Sequence, residues 1–209
     1  MKNPLFTIGH SNLSLEVFLE LLQKHEITAL ADVRSHPYSR YLPHFNKPSL
    51  QEALETVEIP YVFLGRELGA RPTDLSCYIG GKAIHDRIAA TPLFHAGIQR
   101  IIKGLESYRI ALMCAEKDPL TCHRTILVCR KLQNYDIIIN HILSDGQLES
   151  QESIENRLLV LHGFQTAKGQ PQQLSLFDLM EAPPSRENCL LQAYQKQSDR
   201  IAFMEKQEK

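Results

Sequence analysis

Neither a membrane-spanning run nor a strong net charge is present in this sequence. A transmembrane helix needs roughly 20 consecutive apolar residues, and no run of that length occurs. The formal net charge is -1 at pH 7, so no overall field draws the chain to nucleic acid or to an acidic membrane. We therefore expect no membrane partner, and a nucleic-acid role would require a local basic patch.

Cysteine is scarce and unpatterned. The five cysteines are odd in number, and they have neither the spacing of a disulfide framework nor the CxxC pairs of zinc ribbons. This composition favours a reduced, intracellular protein. Because the N-terminal sequence also has no signal-peptide core, we expect a cytoplasmic location.

Three common signatures of phosphate and ester chemistry are missing as well. The chain has no glycine-rich phosphate loop and no GxSxG elbow. It also lacks the Cys-x5-Arg cradle of cysteine phosphatases, because Leu120 stands six residues after Cys114. Any activity must therefore come from another arrangement of residues.

The sequence does contain a regular alternation of strands and helices. Apolar residues make up 43% of the chain, which is enough for the core of one α/β domain. Five β-prone runs alternate with helical segments, at 5–8, 27–33, 61–64, 110–113 and 136–143. This alternation predicts a single Rossmann-like domain over residues 1–165, with a mostly parallel five-stranded sheet, helices on both faces and strand order 3-2-1-4-5. In that order strands one and four are neighbours, so the loop at His10 faces the loop at Cys114.

The segment 109–130, RIALMCAEKDPLTCHRTILVCR, holds the densest group of reactive side chains. Asp118-Pro119 has the pattern of a helix N-cap followed by proline at the first helical position, which predicts a helix to about Leu132. Ligands in α/β proteins bind at the carboxyl ends of strands, beside helix N-termini. We therefore place the candidate site here. The candidate catalytic residues are His10, Asp32, Cys114, Glu116, Cys122 and His123.

Cys122, in the first turn of the predicted helix, has two interpretations. The helix N-terminus and the basic neighbour His123 would stabilise a thiolate that acts as a nucleophile or redox group. Alternatively, Cys122 packs in the core on the same helical stripe as Cys129. We assign Cys129 itself to the core. Cys114 likewise either lines the site or closes the sheet as a small hydrophobic residue.

Metal binding is a further use of these side chains. Cys114, Cys122 and His123, with His10 or Asp32 completing the set, are ligand types that suit zinc or iron. Their spacing contains no CxxC pair, however. The sequence therefore predicts no cofactor, and zinc or iron remains the alternative.

The loops after strands one and two offer groups for an anionic or nucleotide-like ligand. Arg34 and Arg40 would clamp a phosphate or carboxylate; the alternative is a structural network of Asp32 and arginine that holds the long loop 35–48. His10 would be a general acid or base near neutral pH, or it would hydrogen-bond loop carbonyl groups and fix the turn. Candidate substrate-binding residues are Ser11, Asn12, Arg34, Ser39, Arg40 and Arg124.

Two further polar residues have open roles. Glu116 is either a general acid or base, or the partner of Arg34. His141, at the end of the fifth strand, either flanks the site or is a hydrogen-bonded core histidine.

Three separated blocks of sequence resemble the DUF488 family. They are TIGHSN at 7–12, DVRSHPYSR at 32–40 and CAEKDPLTCHR at 114–124. The resemblance covers about residues 5–145 and implies a compact α/β domain. It implies no activity, because the family lacks an established general function.

The composition changes from about residue 166 onward. Glutamine becomes frequent and apolar periodicity fades, which predicts a flexible tail over 166–209 with a short helix from Asn188 to about Phe203. Within the tail, QLSLF resembles the peptide with which bacterial polymerases and repair proteins bind the DNA sliding clamp. The alternative is a segment that packs back on the domain. The residues that the resemblance implies for docking are Gln173, Leu174, Ser175, Leu176 and Phe177.

These features lead to three functional hypotheses. The preferred one is an enzyme of DNA maintenance that hydrolyses or transfers a group of a nucleotide or nucleic acid and is recruited by the sliding clamp. The second is a thiol- or metal-dependent enzyme of small anionic metabolites. The third is a non-catalytic binding module whose polar cluster is structural.

Overall fold

The structure is a computed structural model that describes residues 4–164 and 184–205. Its strands are β1 (Leu5–Gly9), β2 (Ala29–Asp32), β3 (Tyr61–Phe63), β4 (Tyr78–Ile79), β5 (Lys82–Ala83), β6 (Ile110–Cys114), β7 (Ile139–Ile142) and β8 (Leu148–Ser150). Its helices are α1 (Leu15–Lys24), α2 (Lys47–Glu55), α3 (Gly65–Leu68), α4 (His85–Ala89), α5 (Pro92–Gly104), α6 (Arg130–Leu132), α7 (Gln151–Leu161) and α8 (Arg186–Ile201).

A six-stranded, mainly parallel sheet of order β3-β2-β6-β1-β7-β8 lies at the centre. The predicted α/β class and the adjacency of β1 and β6 are confirmed, but the predicted order is wrong at one point. In the numbering of the five predicted strands, the observed order is 3-2-4-1-5, because β6 pairs with both β1 and β2. Both β1 and β6 are buried over all five residues, so their sequences fit a central position equally well.

Short strands complete the sheet architecture. β8 adds an antiparallel edge strand next to β7, and β4 and β5 form a separate antiparallel hairpin. The sequence pattern predicted none of these three, because strands of two or three residues carry too little alternation to be recognised.

Helices cover both faces of the sheet, as predicted. On one face, Phe18 of α1 and Leu50 of α2 pack in a cluster with Phe6 of β1. On the other face, Phe94 of α5 packs in a cluster with Leu112 of β6. The sheet is therefore buried on both sides, which leaves its carboxyl edge as the place where polar side chains collect.

The chain after β6 does not form the single helix that the sequence predicted. Asp118 does act as a cap, since its carboxylate accepts from Leu120 N at 3.0 Å, but it caps only the 3-10 turn Pro119–Thr121. Cys122 is then extended (φ -126°, ψ 137°), and a π-helix, Arg124–Cys129, leads into α6. Cys122 therefore precedes the helix, and the break lets its thiol turn back toward the end of β6.

The helix predicted near the C-terminus is α8, and it packs on the domain instead of being free. Tyr194 is buried in a cluster with Leu158 of α7, and Gln197 Nε2 donates to the carbonyl oxygen of Leu120 at 2.6 Å. The predicted clamp-binding peptide, 173–177, lies outside the described residues. Within 4–164 and 184–205, no helix has the length and apolarity to cross a membrane.

Candidate functional site

The carboxyl ends of β1, β2 and β6 hold the loops of the candidate site. His10 N donates to the carbonyl oxygen of Cys114 at 3.0 Å, so the loops after β1 and β6 face each other as expected. The close approach depends on Gly9, because a Cβ at this position would lie 1.9 Å from the carbonyl oxygen of Glu116. Glycine at position 9 thus sets the distance between the two loops.

Four side chains at the end of β6 and in the segment after it converge on one point. One donor atom from each of Cys114, Glu116, Cys122 and His123 lies within 4.8 Å of the others. Both thiols are 3.0 Å from Glu116 Oε2. His123 Nδ1 is 3.7 Å from Cys114 Sγ and 4.0 Å from Cys122 Sγ. We call these four residues the donor cluster.

The tautomer of His123 follows from its second nitrogen. Nε2 lies 3.0 Å from the carbonyl oxygen of Val33, which can only accept, so Nε2 carries the proton. In the neutral ring, Nδ1 has a lone pair directed at the two thiols. Burial opposes protonation, but the hydrogen bond and charge of Cys122 raise the pKa of His123 above its ordinary value. A histidine held in this way by a backbone carbonyl is typical of metal ligands as well as of catalytic bases.

The thiols and the carboxylate perturb one another. Burial alone would raise the pKa of the Cys122 thiol, but the hydrogen bond from Cys114 and the charge of Arg124 hold it well below its usual value. Although Glu116 as a residue is exposed, desolvation of its carboxyl beside the buried thiols and the charge of Cys122 raise its pKa. Adjacent groups whose pKa values are shifted in opposite directions are characteristic of functional sites.

A buried guanidinium lies behind the donor cluster. Arg124 is fully buried and donates to the carbonyl oxygens of Glu116 at 2.7 Å and Lys117 at 3.4 Å. Across residues 4–164 and 184–205, no carboxylate forms a salt bridge with it. Arg124, predicted to bind substrate, instead supports the loop and places a positive charge beside the thiols, where the Cys122 thiolate is its counter-charge.

Arg124 also begins a chain of hydrogen bonds that crosses the core. Arg124 Nε donates to Thr7 Oγ1 at 3.4 Å, and Thr7 Oγ1 lies 2.8 Å from His141 Nδ1. His141 Nε2 lies 2.9 Å from Gln151 Oε1. Gln151 Nε2 donates to Tyr194 Oη at 2.8 Å, and this hydroxyl donates to Glu155 Oε1 at 3.1 Å. Burial lowers the pKa of His141 to about 4, so its ring is neutral at neutral pH, with one nitrogen accepting and the other donating. His141 is therefore a hydrogen-bonded core histidine, which was one of its two interpretations.

His10, Asp32 and Arg34 form a second network beside the donor cluster. Arg34 Nη2 donates to Asp32 Oδ2 at 2.6 Å, and Arg34 Nη1 lies 3.3 Å from His10 Nε2. His10 Nδ1 donates to the Ser11 carbonyl oxygen at 2.9 Å, and burial, with the charge of Arg34, lowers the pKa of His10 to about 4. This geometry matches the structural alternative for all three residues, since Arg34 is paired and both nitrogens of His10 are occupied.

A cavity of about 400 Å³ opens above the donor cluster, within the range of small-molecule sites. Of the candidates, only Arg34, Cys114, Glu116 and His123 are among its lining residues. Sequence reasoning missed Arg71 and His36, which also line it, and the wall that Phe203 contributes after α8. The signal for the first two was their position in the irregular loops after β2 and β3; nothing local marks Phe203.

The remaining candidates do not line this cavity. Ser39 Oγ accepts from Tyr41 N at 3.2 Å and stabilises its own loop. Asn12 and Arg40 are exposed. Ser11 adopts a positive φ of 44° at the turn after β1.

The arrangement permits three kinds of chemistry. The Glu116 carboxylate can take up and release a proton at the floor of the cavity. The cations at its rim can bind an anion. The two thiols, the carboxylate and the imidazole form a ligand set of the type that binds zinc or iron, and it is the one such group found in the described part of the chain.

Comparison with known proteins identifies a family but no activity. The model of the family described as "Domain of unknown function DUF488" matches residues 14–130, which include the whole donor cluster. The match starts after the block at 7–12. No curated protein and no solved structure matches the chain. With more than half of its length matched and two of the three signature blocks inside the match, the chain belongs to the DUF488 family.

Proposed function

We propose that this protein is an enzyme that hydrolyses or transfers a group of an anionic, nucleotide-like substrate. The observation that carries the proposal is the cavity at the carboxyl ends of β2 and β6, with cations at its rim and a proton-exchanging carboxylate on its floor. Glu116 reaches into the cavity from an exposed position. Its raised pKa brings it closer to the pH at which a general acid or base is effective.

Arg71 is the cation best placed to bind an anion. It has no salt-bridge partner within the described part of the chain, and its guanidinium lies 4.4 Å from the ring centroid of Phe203. This stacking orients the planar group while leaving its edge free for phosphate oxygens. Arg34, in contrast, is neutralised by Asp32 and contributes at most one further N–H.

Steady-state hydrolysis of nucleotide and aryl phosphate esters tests this proposal. Glu116→Gln should lower kcat by about 100-fold or more, the usual contribution of a general acid or base. Arg71→Ala should raise KM by about tenfold, with a smaller effect on kcat. Arg66→Ala, which removes an exposed arginine that does not line the cavity, is the matched control. Full activity in Glu116→Gln would contradict the assignment.

Recruitment by the DNA sliding clamp is a second, separable proposal. The observation that favours it is the peptide QLSLF at 173–177, and it rests on sequence alone. Apolar anchors at alternate positions of an extended peptide suit a groove on a partner surface. Tethering would also compensate for weak intrinsic affinity for DNA in a chain whose net charge is -1.

Titration of the full chain against the bacterial sliding clamp tests this recruitment. The double substitution Leu176→Ala and Phe177→Ala should abolish binding, whereas Leu179→Ala with Met180→Ala, two apolar residues just beyond the peptide, should leave it intact. Equal binding by both variants would rule out recruitment by the clamp through this peptide. The enzymatic proposal would be unaffected by that result.

A further inference from the structure

The donor cluster has the composition and the spacing of a metal site. Zinc bound by cysteine and histidine has Zn–S distances near 2.3 Å and Zn–N distances near 2.0 Å, so tetrahedral geometry places S and N about 3.6 Å apart. The observed separations of His123 Nδ1 from the two Sγ atoms are 3.7 and 4.0 Å. The sequence does not reveal these separations, because the fold brings the thiols together without a CxxC spacing.

Glu116 fits the fourth position. Its Oε2 lies 3.0 Å from each Sγ, somewhat closer than the about 3.5 Å expected for ligands of one zinc ion. Because Glu116 is exposed, a small rotation of its side chain opens this distance. The three other ligands come from the end of β6 and from the turn before the π-helix, where the backbone is held by hydrogen bonds.

The surroundings of the cluster satisfy the usual requirements of a metal site. The proton on His123 Nε2 is donated to the carbonyl oxygen of Val33, which orients the ring and frees Nδ1 for coordination. Arg124 places a buried positive charge beside the thiols. Two thiolates, one carboxylate, a divalent cation and this guanidinium together have no net charge, so no uncompensated charge remains at the buried thiols.

A nucleophilic thiol is the competing use of Cys122, and its position does not favour it. Cys122 is 1% exposed and is not among the residues that line the cavity. Its Sγ faces Glu116 and His123. A substrate in the cavity meets Glu116 and Cys114 first.

We propose that Cys114, Cys122 and His123 bind one zinc ion, with Glu116 as a fourth, displaceable ligand on the side of the cavity. Soft thiolate ligands with an imidazole in tetrahedral array favour zinc. Three fixed ligands and one exposed position correspond to the catalytic class of zinc site. The ion would be bound whatever substrate enters the cavity.

Metal analysis of the full chain, purified without chelator, is the test. Wild type should contain about one zinc per chain, and Cys122→Ser and His123→Ala should retain less than about a tenth of it. Glu116→Gln should keep zinc while losing activity, which separates the failure of this inference from the failure of the proposed enzymatic function. Cys189→Ser, a buried cysteine of α8 outside the cluster, is the matched control and should keep its zinc.

Cobalt substitution covers the case in which the ligand variants do not fold. Wild-type protein freed of metal and titrated with Co²⁺ should develop a thiolate-to-cobalt charge-transfer band in the near-ultraviolet, saturating at about one Co²⁺ per chain. Purified wild type without stoichiometric zinc, together with no such band, would overturn the site. Full zinc retention by a folded Cys122→Ser variant would also overturn it, and stoichiometric iron would overturn the assignment to zinc.

Discussion

Gly9 leaves no room for a larger side chain. Alanine at this position would place a Cβ 1.9 Å from the carbonyl oxygen of Glu116 and 3.2 Å from Arg124 Nη1. Neither atom can move without disturbing the donor cluster, because one belongs to its backbone and the other is hydrogen-bonded to that same oxygen.

Gly9→Ala should therefore lower the free energy of unfolding by about 3 kcal/mol, at the upper end of the range for overpacked sites. Chemical denaturation gives the value. Gly104→Ala is the control, since its Cβ would meet only the tip of the Ile110 side chain, Cδ1 at 2.8 Å, and the cost should stay below about 1 kcal/mol. Equal effects at the two positions would show that the β1–β6 loop contact is not rigid.

The buried histidine His141 makes stability depend on pH. Burial lowers its pKa to about 4 from the ordinary value of 6.5. Between these two pH values, His141 is therefore protonated in the unfolded chain and neutral in the folded chain. Stability is therefore full above pH 6.5 and falls as the pH drops toward 4, by about 1.4 kcal/mol per pH unit for this residue in the steepest part.

The slope of unfolding free energy against pH, compared between wild type and His141→Asn, measures this contribution. The variant is less stable at pH 7, because two hydrogen bonds of the core chain are altered, but its loss of stability from pH 6.5 to 4.5 should be smaller than that of wild type. His95→Asn, at an exposed histidine, should keep the wild-type slope. Parallel curves for wild type and His141→Asn would contradict a neutral, buried His141.

At the scale of elements, the contact between α7 and α8 depends on a shared polar centre. Tyr194 Oη of α8 accepts from Gln151 Nε2 at 2.8 Å and donates to Glu155 Oε1 at 3.1 Å. Both partners lie in α7. The phenol thus joins two turns of α7 and passes the hydrogen-bond chain from Arg124 on to Glu155, where it ends.

Tyr194→Phe keeps the apolar contact and removes the hydroxyl, so it should lower the free energy of unfolding by about 1–2 kcal/mol by leaving Gln151 without its acceptor. Tyr38→Phe, at a tyrosine that is 64% exposed, should change stability by less than about 0.5 kcal/mol. Thermal and urea denaturation of the two variants measure these changes in the free energy of unfolding. A Tyr194→Phe variant as stable as wild type would mean that water replaces the phenol hydroxyl.

At the scale of the whole molecule, α8 is part of the domain although its sequence is polar overall. It covers Leu120, Ile126, Ile154 and Leu158, all of them buried. The residues after it, 202–205, continue across the site: Phe203 borders the cavity, and Glu205 N donates to the carbonyl oxygen of Gly81 at 2.7 Å. Removal of α8 would expose an apolar surface and open one wall of the cavity.

Truncation before Pro184 should therefore abolish cooperative unfolding, since each uncovered Leu or Ile loses about 1.5–3 kcal/mol of burial. Replacement of 166–182 by a Gly/Ser linker of equal length should leave the Tm within about 2 °C, because the number of residues between α7 and α8 stays the same. Differential scanning calorimetry compares the two. A stable truncated protein would show that α8 is dispensable.

The parts of the molecule that the sequence predicted are those governed by local pattern. The strand ending at Cys114 and the cap at Asp118 follow from periodicity and turn chemistry. The break at Cys122 does not, because an extended residue between two helical turns is held there by tertiary contacts. The rim of the cavity was missed for the same reason, since Arg71 and Phe203 meet only after the whole chain has folded.

The donor cluster occupies only ten consecutive positions, 114–123, and that compactness has a consequence for chain entropy. The cost of closing a loop grows with the logarithm of its length, so bringing these four side chains together constrains a short piece of chain and leaves the rest of the molecule untouched. Their supports, by contrast, come from far away in the sequence, with Val33 behind His123 and Thr7 behind Arg124. A graft of this ten-residue segment onto another parallel sheet would therefore carry all four donors with it. The new sheet would need a backbone carbonyl in the place of Val33 to accept from His123 Nε2 and orient its ring.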